Sequence, residues 1–270
     1  VRTPPRPWWL LPLCGLLLSA CAGPRGSAPQ HYGQTVDSAT NACLRNPACA
    51  TQVGEDAVLP WLTRAAARAG QAAAMLRVWE AAEVAHVERV LVECAKQANS
   101  DVNDRLLGPG RRTSRELCEE KVLDAKGREV TRAMQLGEAK HAAALECVQR
   151  VLGATDAGRF SVEPRYLKDA TTGRTRWLDP EEVAQWLRDG QFYLLTASIV
   201  PDVVLHALGN PLKVQRVYDF KFPCPVSNPP SWDSYAPGHP FSDKSQEEVY
   251  QLLLDTNRAP QLVSPNLGVQ

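Results

Sequence analysis

The chain has no excess of charge of either sign. It carries 30 Lys and Arg against 30 Asp and Glu in 270 residues. No global field therefore draws it to a polyanion, and any contact with nucleic acid must come from a local patch. The apolar stretch Trp8 to Leu18 is too short to span a bilayer. There is no C-x-x-C pair, and none of the five histidines stands beside a cysteine, which disfavours a zinc site. No H-E-x-x-H or paired-histidine pattern occurs, and there is no internal repeat. What is present is a globular composition, 44% hydrophobic and 22% charged, sufficient for one large domain or two small ones.

Arg2 and Arg6 precede the short apolar stretch, which suits the h-region of a secretory signal, with Val1 expected to be an alternative start. The stretch ends in Leu18-Ser19-Ala20-Cys21. This resembles a lipobox, which implies cleavage before Cys21 and lipidation of its sulfur. Ala22 and Gly23 carry no retention charge, so the expected destination is the outer membrane. Without Arg2 and Arg6 the mature chain has 28 basic residues against 30 acidic. It keeps Cys43, Cys49, Cys94, Cys118, Cys147 and Cys224, an even number in a compartment that permits disulfides. Only Cys43 and Cys49 suggest a pairing by proximity, across Asn46-Pro47.

The pattern predicts four segments: a signal peptide over 1–20, a Gly/Ser/Pro-rich tether over 21–55, a helical region over 56–135, and a mixed α/β unit over 136–270. Asp56 is placed to cap a helix over 56–99, with Val87, Val90, Leu91 and Cys94 as its buried stripe. Thr113 and Glu116 read as a capping box opening a second helical stretch to Arg150, with Gly127 as a point of interruption. Beyond Gly153, Phe160 to Tyr166 and Thr175 to Leu178 look extended, Asp179-Pro180-Glu181-Glu182 opens a short helix, and two β-rich runs follow, Leu194 to Leu205 and Leu212 to Phe222. A proline-rich loop leads to a helix from Ser245 to Asp255 and a last apolar segment, Gln261 to Ser264.

Candidate chemistry lies in the β-rich runs. Asp202 belongs to the first, and Asp219-Phe220-Lys221 ends the second. Strand alternation puts Asp219 and Lys221 on one face and Tyr218, Phe220 and Phe222 on the other. Two carboxylates and a lysine on adjacent strands suit phosphodiester hydrolysis, in which carboxylate-held Mg²⁺ activates water. Three other carboxylate-x-lysine triplets, Glu119/Lys121, Asp124/Lys126 and Glu138/Lys140, fall where helix is expected, so their members diverge on a helix surface. The later helix carries Gln246 and Tyr250 four residues apart on one face.

The order Asp202, Asp219-x-Lys221, Gln246-x-x-x-Tyr250 and a last strand resembles the PD-(D/E)XK nucleases over about residues 136–270. The resemblance implies a restriction-endonuclease-like mixed sheet flanked by helices. Asp202 and Asp219 would hold Mg²⁺ (or Mn²⁺), Lys221 would orient water or stabilise phosphate charge, and Gln246 and Tyr250 would support the site. It also implies a glutamate on the upstream helix; Glu138 and Glu146 are candidates there, and the role is carried to neither. Val217 to Pro225 followed by Gly238-His239-Pro240 resembles the nuclease domains of bacterial polymorphic toxins. A lipobox in front resembles lipoprotein toxins passed between cells by outer-membrane exchange. That implies a nucleic-acid substrate (DNA favoured, RNA open), a cognate immunity protein, and a membrane anchor through Cys21. A non-catalytic envelope lipoprotein, with a helical interaction module and a degenerate nuclease fold, is the competing class.

Arg159, Arg165, Lys168, Arg174 and Arg176 outweigh Glu163 and Asp169 and form either a phosphate strip or a solvated hairpin. For His206 and His239, structural roles are expected. Trp232, Tyr235 and Phe241 in the long loop suit either base stacking or packing over the sheet.

Overall fold

A computed structural model describes residues 78–124, 127–169, 171–256 and 258–270. The expected leader, Cys21, the tether, the Cys43–Cys49 pairing and the start of a helix at Asp56 lie outside these residues. The first described helix, α1 (Ala81–Leu107), buries Val84, Val87, Leu91, Cys94, Ala98 and Val102 at helical spacing. It runs past residue 99, because the first residues that oppose helix are Gly108 and Pro109.

The expected helical stretch from Thr113 to Arg150 does break at Gly127, but its first part is corrected from helix to mostly hairpin. The observed order is a five-residue helix α2 (Arg115–Glu119), a hairpin of β1 (Lys121–Leu123) and β2 (Glu129–Thr131), and then α3 (Arg132–Thr155). Ser114, not Thr113, caps α2 through the Leu117 N–H. The hairpin wins because Gly127 takes a left-handed turn at φ 73° and the Asp124 carboxylate accepts from Arg128 N and Nε at 2.8 and 2.6 Å. Lys121 therefore lies on a strand and Asp124 at a turn, so only Glu138/Lys140 among those triplets is helical.

After α3 come β3 (Phe160–Val162), β4 (Arg165–Lys168), β5 (Thr175–Leu178), α4 (Pro180–Arg188), a 3₁₀ turn (Phe192–Leu195) and β6 (Ser198–Ile199). They are followed by β7 (Val203–Ala207), β8 (Asn210–Phe220), α5 (Gln246–Leu254), β9 (Gln261–Ser264) and β10 (Gly268–Val269). The run Phe160 to Tyr166 is two strands in different sheets. The chain turns at Glu163, at φ 47°, where its N–H donates to the Asp202 carbonyl at 2.9 Å.

The fold is mixed α and β. A five-stranded sheet has the order β10-β9-β8-β7-β3, and β5-β4-β6 form a smaller one. In the larger sheet β8 and β9 are parallel, with α5 as the crossover, and the other pairs are antiparallel. Gly209, at φ 67°, makes the tight turn of the β7–β8 hairpin. One face of the sheet packs Val203, Leu205, Tyr218, Phe220 and Val263 against α1 and α3. The other packs Val204 and Val217 against Val249, Tyr250 and Leu253 of α5. Truncating a fully buried residue such as Leu91 to Ala should cost about 2–5 kcal/mol.

Two disulfides among the described residues cross-link the helical elements to one another and to the loop beyond the sheet. Cys94–Cys147 joins α1 to α3, and Cys118–Cys224 joins α2 to the loop that follows β8. The expected division between residues 135 and 136 falls inside α3, and α1 shares the hydrophobic cluster beneath the sheet.

Candidate active site

Asp219 lies one residue before the end of β8, on the face turned to α5. Its neighbours Tyr218 and Phe220 point into the opposite core. Val203 pairs with Tyr218, so one step further the same register sets Asp202 opposite Asp219. Like charges placed across a ladder repel, so each carboxylate must be held by other groups. Asp202 accepts from the Phe220 N–H at 2.6 Å through Oδ2 and pairs with His141 Nε2 at 2.8 Å through Oδ1. Asp219 accepts from Gln246 Nε2 at 3.1 Å and Tyr250 OH at 3.3 Å through Oδ1, and pairs with Lys221 Nζ at 2.8 Å through Oδ2.

Lys221 lies one residue beyond β8, where its backbone N–H continues the ladder to the Val263 carbonyl. Its ammonium also reaches Asp233 at 3.1 Å and Gln246 Oε1 at 2.8 Å. Both ends of the Gln246 amide are thus used, and its Nε2 also donates to Tyr250 OH at 2.8 Å. The helix that presents this pair starts with a full capping box, Ser245 with Glu248. Four of the five residues expected to act together, Asp219, Lys221, Gln246 and Tyr250, therefore form one hydrogen-bonded cluster. Asp202 stands beside it, held by Phe220 and His141 and acting on Asp219 through its charge, and Asp202, Asp219, Gln246 and Tyr250 are buried.

Three further groups were not legible as members. His141 reaches Asp202 from α3, Asp233 holds Lys221 from the long loop, and the charge of Glu163 acts on His141. On α3, Glu146 is exposed, whereas both carboxylate oxygens of Glu138, three residues before His141, are shielded from solvent.

The electrostatics follow from crowding. Burial pushes the Asp219 carboxyl up and the Asp202 charge adds to this, so that despite Lys221 it stands at about 7. Burial opposes charge on His141, but Asp202, with Glu163 and Asp219, raises it to about 9. Burial likewise opposes charge on Lys221, yet Asp219 and Asp233 hold it above its usual range.

Asp202 and Asp219 offer hard oxygen donors, and the groups now on them, Lys221 and His141, are cationic. The donor chemistry fits a divalent cation such as Mg²⁺ or Mn²⁺. Among the described residues no group of three or more His, Cys, Asp or Glu forms a ready-made metal cage.

The other candidates separate. His206 is buried between Ser161 Oγ at 2.9 Å and the Ala207 carbonyl at 2.8 Å, a structural position. His239 is buried, stacks on Tyr235 and accepts from the Phe241 N–H. Tyr235 and Phe241 pack over the sheet. The basic strip divides. Arg159 is bound to Glu83 at 2.9 and 3.2 Å, with its guanidinium over Trp79, and Arg165 is buried on Ser198. Of the strip only Lys168, Arg174 and Arg176 are exposed, because the first two arginines are needed inside.

No family model matches this chain, and neither a curated protein nor a solved structure matches it.

Proposed function

We propose that the chain is a Mg²⁺-dependent (or Mn²⁺-dependent) phosphodiesterase acting on nucleic acid, of the PD-(D/E)XK type. The observation that carries this is the bonded cluster of Asp219, Lys221, Gln246 and Tyr250 with the Asp202 carboxylate beside it, across the β7–β8 register and acting on Asp219 through its charge. The order β7, β8, α5 and a last strand β9 supports the reading.

Asp202 and Asp219 would hold the ion, which when bound neutralises charge at the scissile phosphate and lowers the pKa of water. Lys221 keeps its proton and donates it as a hydrogen bond where negative charge develops on phosphate oxygen. Gln246 fixes Lys221 against Asp219, Tyr250 fixes Gln246, and His141 orients Asp202 from the opposite side.

The exported lipoprotein toxin is the biological setting that best suits such an enzyme. The Cys94–Cys147 and Cys118–Cys224 disulfides support an oxidising compartment. A nuclease anchored there through Cys21 meets little nucleic acid until it is delivered to another cell, and an immunity protein would guard the producer.

The test uses the purified oxidised chain on plasmid, single-stranded DNA and transfer RNA, with Mg²⁺, with Mn²⁺ and without metal. Metal-dependent cleavage that Asp202→Ala and Asp219→Ala each abolish is the expected outcome. An absence of cleavage on all three substrates with either metal refutes the proposal.

A further inference from the structure

The larger sheet has a gap. Strand β9 pairs with β8 only from Tyr218 onward, where Tyr218 stands opposite Gln261, so Arg216, two residues earlier, has no strand beside it on that edge. A cleft of about 520 Å³ opens there, bounded by Glu88 of α1, Arg216 of β8, Trp232 of the long loop, Glu247 of α5 and Arg258 before β9. The volume is that of a small-molecule site.

One wall is shared with the candidate active site. The Trp232 ring meets Tyr250 edge to face, with centroids 6.1 Å apart and planes at 89°. The Lys221 ammonium stands 5.9 Å from its centroid. The lining charges also differ in how far they are committed. Glu88 accepts from Tyr218 OH at 3.0 Å and Glu247 from Gln251 at 3.3 Å. Arg216 donates to the Gln215 carbonyl, and neither Arg216 nor Arg258 is ion-paired to a described carboxylate within 4.0 Å.

We propose that this cleft holds one unpaired nucleotide of a single-stranded nucleic acid next to the scissile phosphate, with its base on Trp232 and its flanking phosphates on Arg216 and Arg258. The proposal rests on the phosphodiesterase reading and names the substrate class for that site. An indole offers a flat face to any base, but a base inside a duplex already has both faces covered. Two arginines balanced by two glutamates make a poor funnel for a long polyanion and a suitable seat for a single unit, since Glu88 and Glu247 can accept from sugar hydroxyls or exocyclic amines. Affinity should therefore come largely from stacking and depend only weakly on salt.

The experiment measures fluorescence anisotropy of labelled twelve-residue oligonucleotides, DNA and RNA, single-stranded and as matched duplexes, with the full oxidised chain in chelator. Cleavage with Mg²⁺ and with Mn²⁺ is assayed in parallel. Single strands of at least one of the two chemistries are expected to bind about tenfold or more tightly than their duplexes, with Trp232→Ala losing about tenfold and Trp232→Phe retaining most of the affinity. Arg258→Ala, at an exposed position that does not support the core, should lose several-fold and show a shallower salt slope. Melting curves establish that each variant is folded. Duplex binding as tight as single-strand binding, or unchanged affinity in both Trp232→Ala and Arg258→Ala, overturns the cleft while leaving cleavage intact. Single-strand binding that depends on Trp232, in a chain that cleaves nothing with either metal, supports the cleft and rejects the phosphodiesterase.

Discussion

Replacing Lys221 by Met tests whether the buried ammonium is what permits two carboxylates to share this end of the sheet. At an effective dielectric of about 20, Lys221 attracts Asp219 at 2.8 Å by about 6 kcal/mol and Asp233 at 3.1 Å by about 5 kcal/mol. Desolvation of the ions offsets most of that, and stripping one partner from a buried pair leaves a net loss of about 3–5 kcal/mol. The loss must depend on pH. Asp219 has a folded pKa of about 7, above its ordinary 3.8. The folded state therefore binds this proton more tightly, and its contribution to stability falls as pH rises from about 4 to about 7.

Without Lys221 the carboxyl climbs higher still. Wild type and variant both hold the proton at about pH 5.5, and the difference between them then grows by about 1.4 kcal/mol per pH unit above about pH 7. Urea unfolding in chelator with the disulfides intact should show a loss of about 1–2 kcal/mol at about pH 5.5 and about 3–5 kcal/mol at about pH 8.5. Adding Asp219→Asn should recover most of the alkaline loss. Equal losses at the two pH values, or less than about 1 kcal/mol at the higher one, refute the electrostatic account.

Three other outcomes follow from the same geometry. His141 is raised to about 9 from 6.5, so its contribution is complete below about 6.5 and is lost as pH rises through about 9; His141→Gln should cost up to about 3 kcal/mol in the acid range and little in the alkaline range, and thermal melts with an unchanged pH profile would count against the His141–Asp202 pair. Cys118 and Cys224 are 106 residues apart, so Cys224→Ser should lower stability by about 2–4 kcal/mol in urea unfolding under oxidising conditions, and a variant as stable as the oxidised wild type would contradict that bridge. Cys21→Ser should leave the precursor uncleaved or release the protein from the membrane fraction; unchanged processing and fractionation would remove the lipid anchor from the proposal.

Local rules carried far in the second half of the chain. The cap Asp179-Pro180 and the helix start at Ser245 each rest on rules that act within a few residues, and the structure follows them. The alternation that sends Asp219 and Lys221 to one face and Tyr218 and Phe220 to the other is likewise local, because strand geometry imposes it. The hairpin Lys121 to Thr131 escaped this kind of reading, since helix-compatible residues around Gly127 hid a strand pair held by Asp124 and Arg128.

What sequence periodicity could not supply was the far wall of the site. His141 lies 61 residues before Asp202, and Asp233 follows Lys221 across a proline-rich loop. Nothing in their spacing marks them, because they join the cluster only when α3 and the loop close on opposite sides of one sheet. Arg159 and Arg165 show the converse: as sequence they are two more positive charges, and only packing against Glu83, Trp79 and Ser198 turns them into internal supports. Residue type and local spacing determined which side chains could do chemistry. Long-range closure of the chain decided which of them meet, because an ion pair forms where folding brings its partners together, whatever their separation along the chain.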